Sequence, residues 1–311
     1  MNLSGLISAP YTPMDDDGKI CFDQIADYAD LLKGNGIQGV FVNGTTGEGM
    51  DLSPDERKAT ANCWISQKEI NFKVIIHVGD QSLQNACSLA SHAARNGADA
   101  IGLMMPLDSQ EMKLEDIVAW LSAVCEIVPE MPVYYYHMPS RTKIVVSVYD
   151  VLSTAGPLNK NLVGAKFTNE DILDFNLCRH LENGKYDMVF GRDEMLLCAL
   201  SLGTKATIGS TYNYAAPVYQ DLITAFEAGD LKKAELLQYK SMQFIKAFLD
   251  VEGGHPLATQ KAIMNYIGFD CGAVRDPQIR LTAVQVKQLY DNLDAVDFSS
   301  IASKIAQVEE V

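Results

Sequence analysis

The sequence predicts an α/β fold, a (β/α)8 TIM barrel over residues 1–214 followed by a C-terminal helical extension over residues 215–311. Three observations lead there. Eight short apolar runs alternate with longer helical patterns as far as Tyr214, the pattern of a parallel sheet with right-handed crossovers. Closing such a sheet into a barrel typically takes about 250 residues, whereas an open doubly wound sheet would want a GxGxxG turn after its first strand, and none is present. Beyond Tyr214 the strand signal stops and only helical periodicity continues.

The expected strands are Leu6–Ala9, Gly39–Val42, Val74–Val78, Ala100–Met104, Val133–Tyr136, Leu162–Lys166, Met188–Phe190 and Ala206–Ile208. Helical patterns between them include Phe22–Gly34, Pro54–Lys68, Leu83–Asn96, Leu114–Ile127 and Glu194–Leu202. Asn35-Gly36 and Asn96-Gly97 supply helix stops, where glycine takes positive φ without steric cost. In the extension, Pro217–Ala228, Leu231–Val251, Pro256–Ile267 and Ala283–Leu293 read as helices. With no flexible linker ahead of them, they are expected to pack on the barrel.

Composition narrows the function. The 311 residues are 48% apolar and 21% charged, which is ordinary for a globular protein. A formal net charge of −15 argues against nucleic acid or an anionic membrane as partner, since both want a basic footprint. An acidic ligand would need positive charge supplied locally by its pocket. Seven cysteines at scattered positions, without CxxC, read as buried free thiols in a reducing compartment. No apolar run approaches the roughly 20 residues that span a bilayer. Met1–Gly5 lacks the features of a secretory leader, so a cytoplasmic setting is expected.

In a parallel barrel the chemistry sits at the C-terminal ends of the strands. Lys166 closes the run Leu162–Ala165 and precedes the cap-like Thr168–Asp171, so it reads as a buried strand-end amine. Burial disfavours the ammonium form, and a neutral amine can attack a ketone to form a Schiff base. A solvent-facing lysine is the ordinary alternative, and neighbouring strand ends argue against it. After the second strand, Asn43–Gly49 sets Thr45 and Thr46 between glycines, where N–H and hydroxyl donors can converge on a carboxylate. No lysine follows to make it a phosphate loop, and a simple tight turn is the plain alternative.

After the fifth strand, Tyr134 and Tyr136 share one face and Tyr135 takes the other. Tyr136, last before the loop Pro139–Thr142, is placed to aim a proton-shuttling phenol into the barrel mouth. After the seventh strand come Asp193 and Glu194, either helix-dipole partners or a grip for vicinal hydroxyls, and Gly209-Ser210-Thr211 follows the eighth. The five histidines are dispersed and form no HExxH or other ligand spacing, so no metal is expected.

Taken together, Phe41–Gly49, Val74–Gly79, Tyr134–His137, Gly164–Thr168, Gly191 with Asp193-Glu194, Gly209–Tyr214 and Gln260–Met264 resemble, in order and over nearly the full length, one family. It is the pyruvate-dependent class I aldolases of N-acetylneuraminate lyase and dihydrodipicolinate synthase, and within it the animal-type lyase branch is the most similar. The resemblance implies a homotetramer without metal or organic cofactor, acting on a sugar acid and releasing pyruvate. It implies Lys166 as the Schiff-base lysine, Tyr136 as proton donor and acceptor, and Thr45 and Thr46 as the carboxylate holders, with Thr45 near the Tyr136 hydroxyl. Thr168, Gly191, Asp193, Glu194 and Ser210 would then bind the sugar hydroxyls.

Two departures stand out. Pro139-Ser140-Arg141-Thr142 is spelled as in the synthases, whose arginine there grips a substrate carboxylate through a bidentate fork. Met105–Asp108 lacks the tyrosine that many relatives lend to a neighbouring subunit. The reaction the resemblance implies is reversible retro-aldol cleavage of N-acetylneuraminate. Its rivals are a synthase-like condensation of pyruvate with an aldehyde acid and a non-catalytic binder of sialic acid or pyruvate.

Overall fold

A computed structural model of the protein describes residues 2–305. Eight parallel strands close in chain order: β1 (Gly5–Ser8), β2 (Gly39–Val42), β3 (Lys73–His77), β4 (Ala100–Met104), β5 (Val133–His137), β6 (Leu162–Phe167), β7 (Asp187–Phe190) and β8 (Ala206–Gly209). β1 pairs with β8 from Gly5 opposite Ala206 to Ser8 opposite Gly209, which seals the barrel. Each strand lies within one residue of its expected ends. β6 runs on to Phe167, so Lys166 is its penultimate residue and not its last.

The helices are α1 (Gln24–Gly34), α2 (Pro54–Ile65), α3 (Leu83–Arg95), α4 (Leu114–Ile127), the single turn α5 (Pro139–Thr142), α6 (Val148–Ala155), α7 (Ile172–His180), α8 (Leu196–Ser201), α9 (Tyr212–Glu227), α10 (Leu231–Leu249), α11 (Pro256–Tyr266) and α12 (Ala283–Ala295). Local chemistry sets their starts. Ser53 caps α2 in a reciprocal box with Glu56, and Pro54 occupies the first turn, where no N–H is needed. The helix expected from Glu194 is interrupted: Asp193–Met195 form a 3-10 turn before α8. The one expected from Pro217 begins instead at Tyr212. A non-helical Ala215 (φ −137°, ψ 28°) breaks its first turn, so Pro217 falls where a missing N–H costs little.

Side-chain alternation divides the apolar interior in two. Ile7, Phe41, Ile75, Met104, Tyr134, Tyr136, Val189 and Ile208 point inward and fill the barrel. Tyr135 and the remaining strand residues point outward to a larger core against the helices. The three tyrosines alternate as expected. The Tyr134 hydroxyl donates to the Asp187 carboxylate at 2.7 Å.

The extension packs on the barrel through aromatic contacts: the Phe244 ring of α10 meets Tyr214 of α9 at 6.2 Å and Phe298 at 5.4 Å between centroids. All seven cysteines are free, and Cys125, Cys178 and Cys271 are buried as expected. Cys198 is exposed and the other three are half-buried, so burial is not general. Among the described residues no helix is long and apolar enough to cross a membrane.

A buried ion pair ties the extension to the barrel mouth. Lys261 Nζ of α11 lies 3.0 Å from Glu48 Oε1, with both side chains almost wholly out of solvent. It also donates to the carbonyls of Thr12 at 3.0 Å and Ala273 at 2.7 Å. Glu48 sits at φ 56°, a left-handed conformation costly for a side-chain-bearing residue, and Arg275 N–H holds its other oxygen at 2.8 Å. Removing one partner leaves the other charge buried alone. Lys261→Met is therefore expected to cost about 3–5 kcal/mol, read as a lowered midpoint in urea unfolding.

Candidate active site

The strand register brings the candidate groups together. Tyr136 of β5 lies opposite Lys166 of β6, which lies opposite Val189 of β7, with all three facing inward. Lys166 is buried, and its Nζ stands 4.1 Å from the centroid of the Phe41 ring and 4.1 Å from that of Tyr136. Among the described residues no carboxylate lies within ion-pair distance of that nitrogen. Burial lowers the Lys166 pKa below its ordinary value, while the nearby Tyr136 oxygen and, beyond ion-pair distance, the Asp193 carboxylate oppose the shift only in part.

Above this amine opens a cavity of 440 Å3, within the roughly 300–1,000 Å3 usual for small-molecule sites. Lys166, Tyr136, Thr45, Thr46, Thr168, Gly191, Asp193, Glu194, Ser210 and Arg141 all line it. Every side chain picked out from the sequence as a candidate thus reaches one space.

The loop after β2 is held rigidly from below. His77 Nδ1 meets the Asn43 carbonyl at 2.9 Å, Asn43 Nδ2 donates to the Arg57 carbonyl at 2.8 Å, and the Thr12 hydroxyl donates to the Gly47 carbonyl at 2.7 Å. Burial pushes the His77 pKa well down, so this imidazole stays neutral. Thr45 and Thr46 face the cavity, while Glu48 turns away to Lys261. The Thr45 and Tyr136 hydroxyls do not bond to each other. Both donate to the Met138 sulfur, at 3.6 Å and 3.1 Å.

On the opposite rim, Asp193 Oδ2 accepts from the Thr211 N–H at 3.0 Å and the Thr211 hydroxyl at 2.6 Å. Its Oδ1 has no partner among the described residues. Gly209 makes this approach possible, because a Cβ there would fall 1.8 Å from Asp193 Oδ1. Gly191 does the same for Thr168, whose unpartnered hydroxyl oxygen lies 2.1 Å from where a Cβ would be. Arg192 links Glu170 to Glu194 across the rim, the latter at 3.4 Å. The Ser210 hydroxyl donates to Gln260 Oε1 at 2.8 Å, an oxygen that also accepts from Tyr11 and Tyr214.

Sequence reasoning missed the outer wall. Ile245, Phe248 and Leu249 of α10, His255, and Leu257 and Gln260 of α11 close one side of the cavity. Gln260–Met264 was among the motif stretches, but nothing local reveals that α11 folds back over the rim. Met138 and Phe41 were missed as well, since each reads as ordinary core.

Asp193 gives a testable titration. Burial first, then the neighbouring Glu194, raises its pKa to about 6, against the two Thr211 bonds that lower it. The folded state thus holds this proton more tightly than the unfolded chain. Asp193 favours folding at low pH, and the advantage is lost as pH rises from the ordinary carboxyl value through about 6, by on the order of 2–3 kcal/mol. Chemical unfolding across that window should show the slope in the wild type and a flatter one in Asp193→Asn.

Three comparisons with known proteins agree with this geometry. The model of the dihydrodipicolinate synthetase family matches residues 2–296. N-acetylneuraminate lyase A of Xenopus laevis is 40% identical over 281 residues, covering 88% of this chain and 90% of its own. N-acetylneuraminate lyase of Mus musculus is 35% identical over 305 residues, covering 97% and 95%. Among solved structures, Proteus mirabilis N-acetylneuraminate lyase superposes with a TM-score of 0.91 at 34% identity, covering 96% of this chain and all of that one.

Proposed function

The chain belongs to the dihydrodipicolinate synthetase family, and we propose that it cleaves N-acetylneuraminate reversibly to N-acetylmannosamine and pyruvate through a Schiff base on Lys166. The observation that carries this is a buried lysine without a counter-ion at the floor of a cavity rimmed by hydroxyls and carboxylates. The lyase names of the relatives support the sugar acid as substrate.

The neutral Lys166 amine adds to the C2 ketone of the open-chain sugar acid, and loss of water leaves an iminium. Thr45, Thr46 and the loop N–H groups hold the carboxylate. Tyr136 receives the C4 hydroxyl proton as the C3–C4 bond breaks, passing its own phenolic proton to the substrate carboxylate. The bond's electrons pass into the iminium and give an enamine. Protonation at C3 and hydrolysis then release pyruvate. Thr168, Gly191, Asp193, Glu194 and Ser210 receive the hydroxyls of the departing sugar. The iminium, the loop donors and Arg141 supply the positive charge that an acidic protein must provide for an acidic ligand. No metal or organic cofactor enters this scheme. The reacting groups come from the barrel segment, residues 1–214, and the extension, described as far as residue 305, packs against it. The free thiols and the family resemblance support a cytosolic homotetramer.

Arg141 favours one second reading. Its guanidinium lines the cavity and has no carboxylate partner among the described residues, which suits an acceptor bearing its own carboxylate. In the condensation direction, assays with pyruvate and either N-acetylmannosamine or aspartate semialdehyde separate the two. The sugar is expected to react faster by about tenfold or more; the reverse order assigns the chain to the synthase reaction.

The covalent step is tested at the lysine. Lys166→Ala should lose turnover by roughly a thousandfold or more, the fold kept, because the nucleophile itself is gone. Borohydride with pyruvate should fix a stable adduct on Lys166 of the wild type, detectable by mass. Near wild-type turnover in the variant, or no adduct, ends the aldolase reading and leaves a non-catalytic binder.

A further inference from the structure

We propose that Phe41 is a catalytic residue of this site: its ring face stabilises the iminium formed on Lys166. The inference rests on the Schiff-base reading above and deepens it. The step in question takes a neutral amine, a ketone and one proton to an iminium and one water. The C–N bond forms from the amine lone pair, the carbonyl oxygen leaves as water, and the positive charge ends on the nitrogen. That charge arises on a buried side chain at the floor of a partly enclosed cavity, where solvent screens it less than in bulk water.

A carboxylate beside the nitrogen would meet the need, but it would equally hold the resting lysine as an ammonium and quench the nucleophile. None lies within ion-pair distance among the described residues. Two aromatic faces lie there instead, Phe41 and Tyr136, each 4.1 Å from Nζ to its centroid. A π face attracts a cation placed over it. It offers no hydrogen-bond acceptors, so it suits a planar, delocalised iminium better than an ammonium, which has three N–H bonds to satisfy. Tyr136 already has a hydroxyl committed to Met138. Phe41 has no polar group, and its ring is free to act on charge alone.

The ring's position is built in. Phe41 is fully buried, and it meets Tyr136 edge to face at 5.3 Å and 81°. A Cβ at Gly102 would lie 2.4 Å from Phe41 Cε2, and one at Gly44 would lie 3.0 Å from Cδ1. Gly102 in the middle of β4 and Gly44 in the loop after β2 thus leave the space this ring occupies.

The test replaces Phe41 site-specifically with 4-fluoro-, 3,5-difluoro- and 3,4,5-trifluorophenylalanine, which drain the ring face of electron density with little change in volume. The readout is the pyruvate concentration that gives half-maximal borohydride-trapped adduct on Lys166. It should rise stepwise with fluorine count, by about threefold or more at the trifluoro ring, and Phe41→Leu should rise at least as far. Thermal melts of the fluorinated series should stay together, which separates charge stabilisation from damaged packing. A flat series, with the wild-type lysine still trapped, overturns the role of Phe41 and leaves the aldolase reading standing. Failure of the wild type itself to trap pyruvate overturns both.

Discussion

One charge state controls this site: that of an amine enclosed among aromatic rings with no carboxylate within ion-pair distance among the described residues. Taking Lys166 out of water without pairing it disfavours the ammonium. The same arrangement would be a fault in a structural lysine, and Lys261 shows the difference. That lysine is just as buried but is matched to Glu48 and two carbonyls, as buried charges ordinarily are. Two buried lysines in one chain therefore follow opposite rules. One is paired and holds the structure together; the other faces the cavity with no ion-pair partner among the described residues.

The rest of the fold serves to keep that amine in place and to surround it. Pairing of β5 with β6 fixes Tyr136 beside it. The loop after β2 presents Thr45 and Thr46 on one side and sends Glu48 down the other to the extension. Lys261 thereby clamps the loop from outside the barrel. The neighbouring turn of α11 brings Gln260 to Ser210 at the rim. The helical extension is thus a wall of the cavity and a brace for its floor.

Much of this was legible from the chain because strand ends are local signals. Each mainly apolar run gives way within a residue or two to a polar, glycine or proline stretch, and in a parallel barrel all those ends share one face. That logic located Lys166, Tyr136, the threonine loop and the Asp193 rim. It failed wherever position depends on packing between distant segments. The α11 wall depends on how the extension folds back, which no helical period encodes. Phe41 and Met138 look like core because they are apolar, and only their distances to Nζ and to two hydroxyls distinguish them. Pro217 misplaced the start of α9, because a helix with a broken first turn reads from sequence as a loop before a proline.

The protonation state of Lys166 can be read directly. With lysine labelled at Cε, the Lys166 resonance can be assigned by its loss in Lys166→Arg and followed through a pH titration of the ligand-free protein. A midpoint below that of the exposed lysines is the predicted result, since burial without an ion-pair partner leaves the amine easier to deprotonate. A midpoint equal to or above theirs would mean that the ammonium is held by something other than the rings and the cavity, and the chemistry assigned to this lysine would have no source.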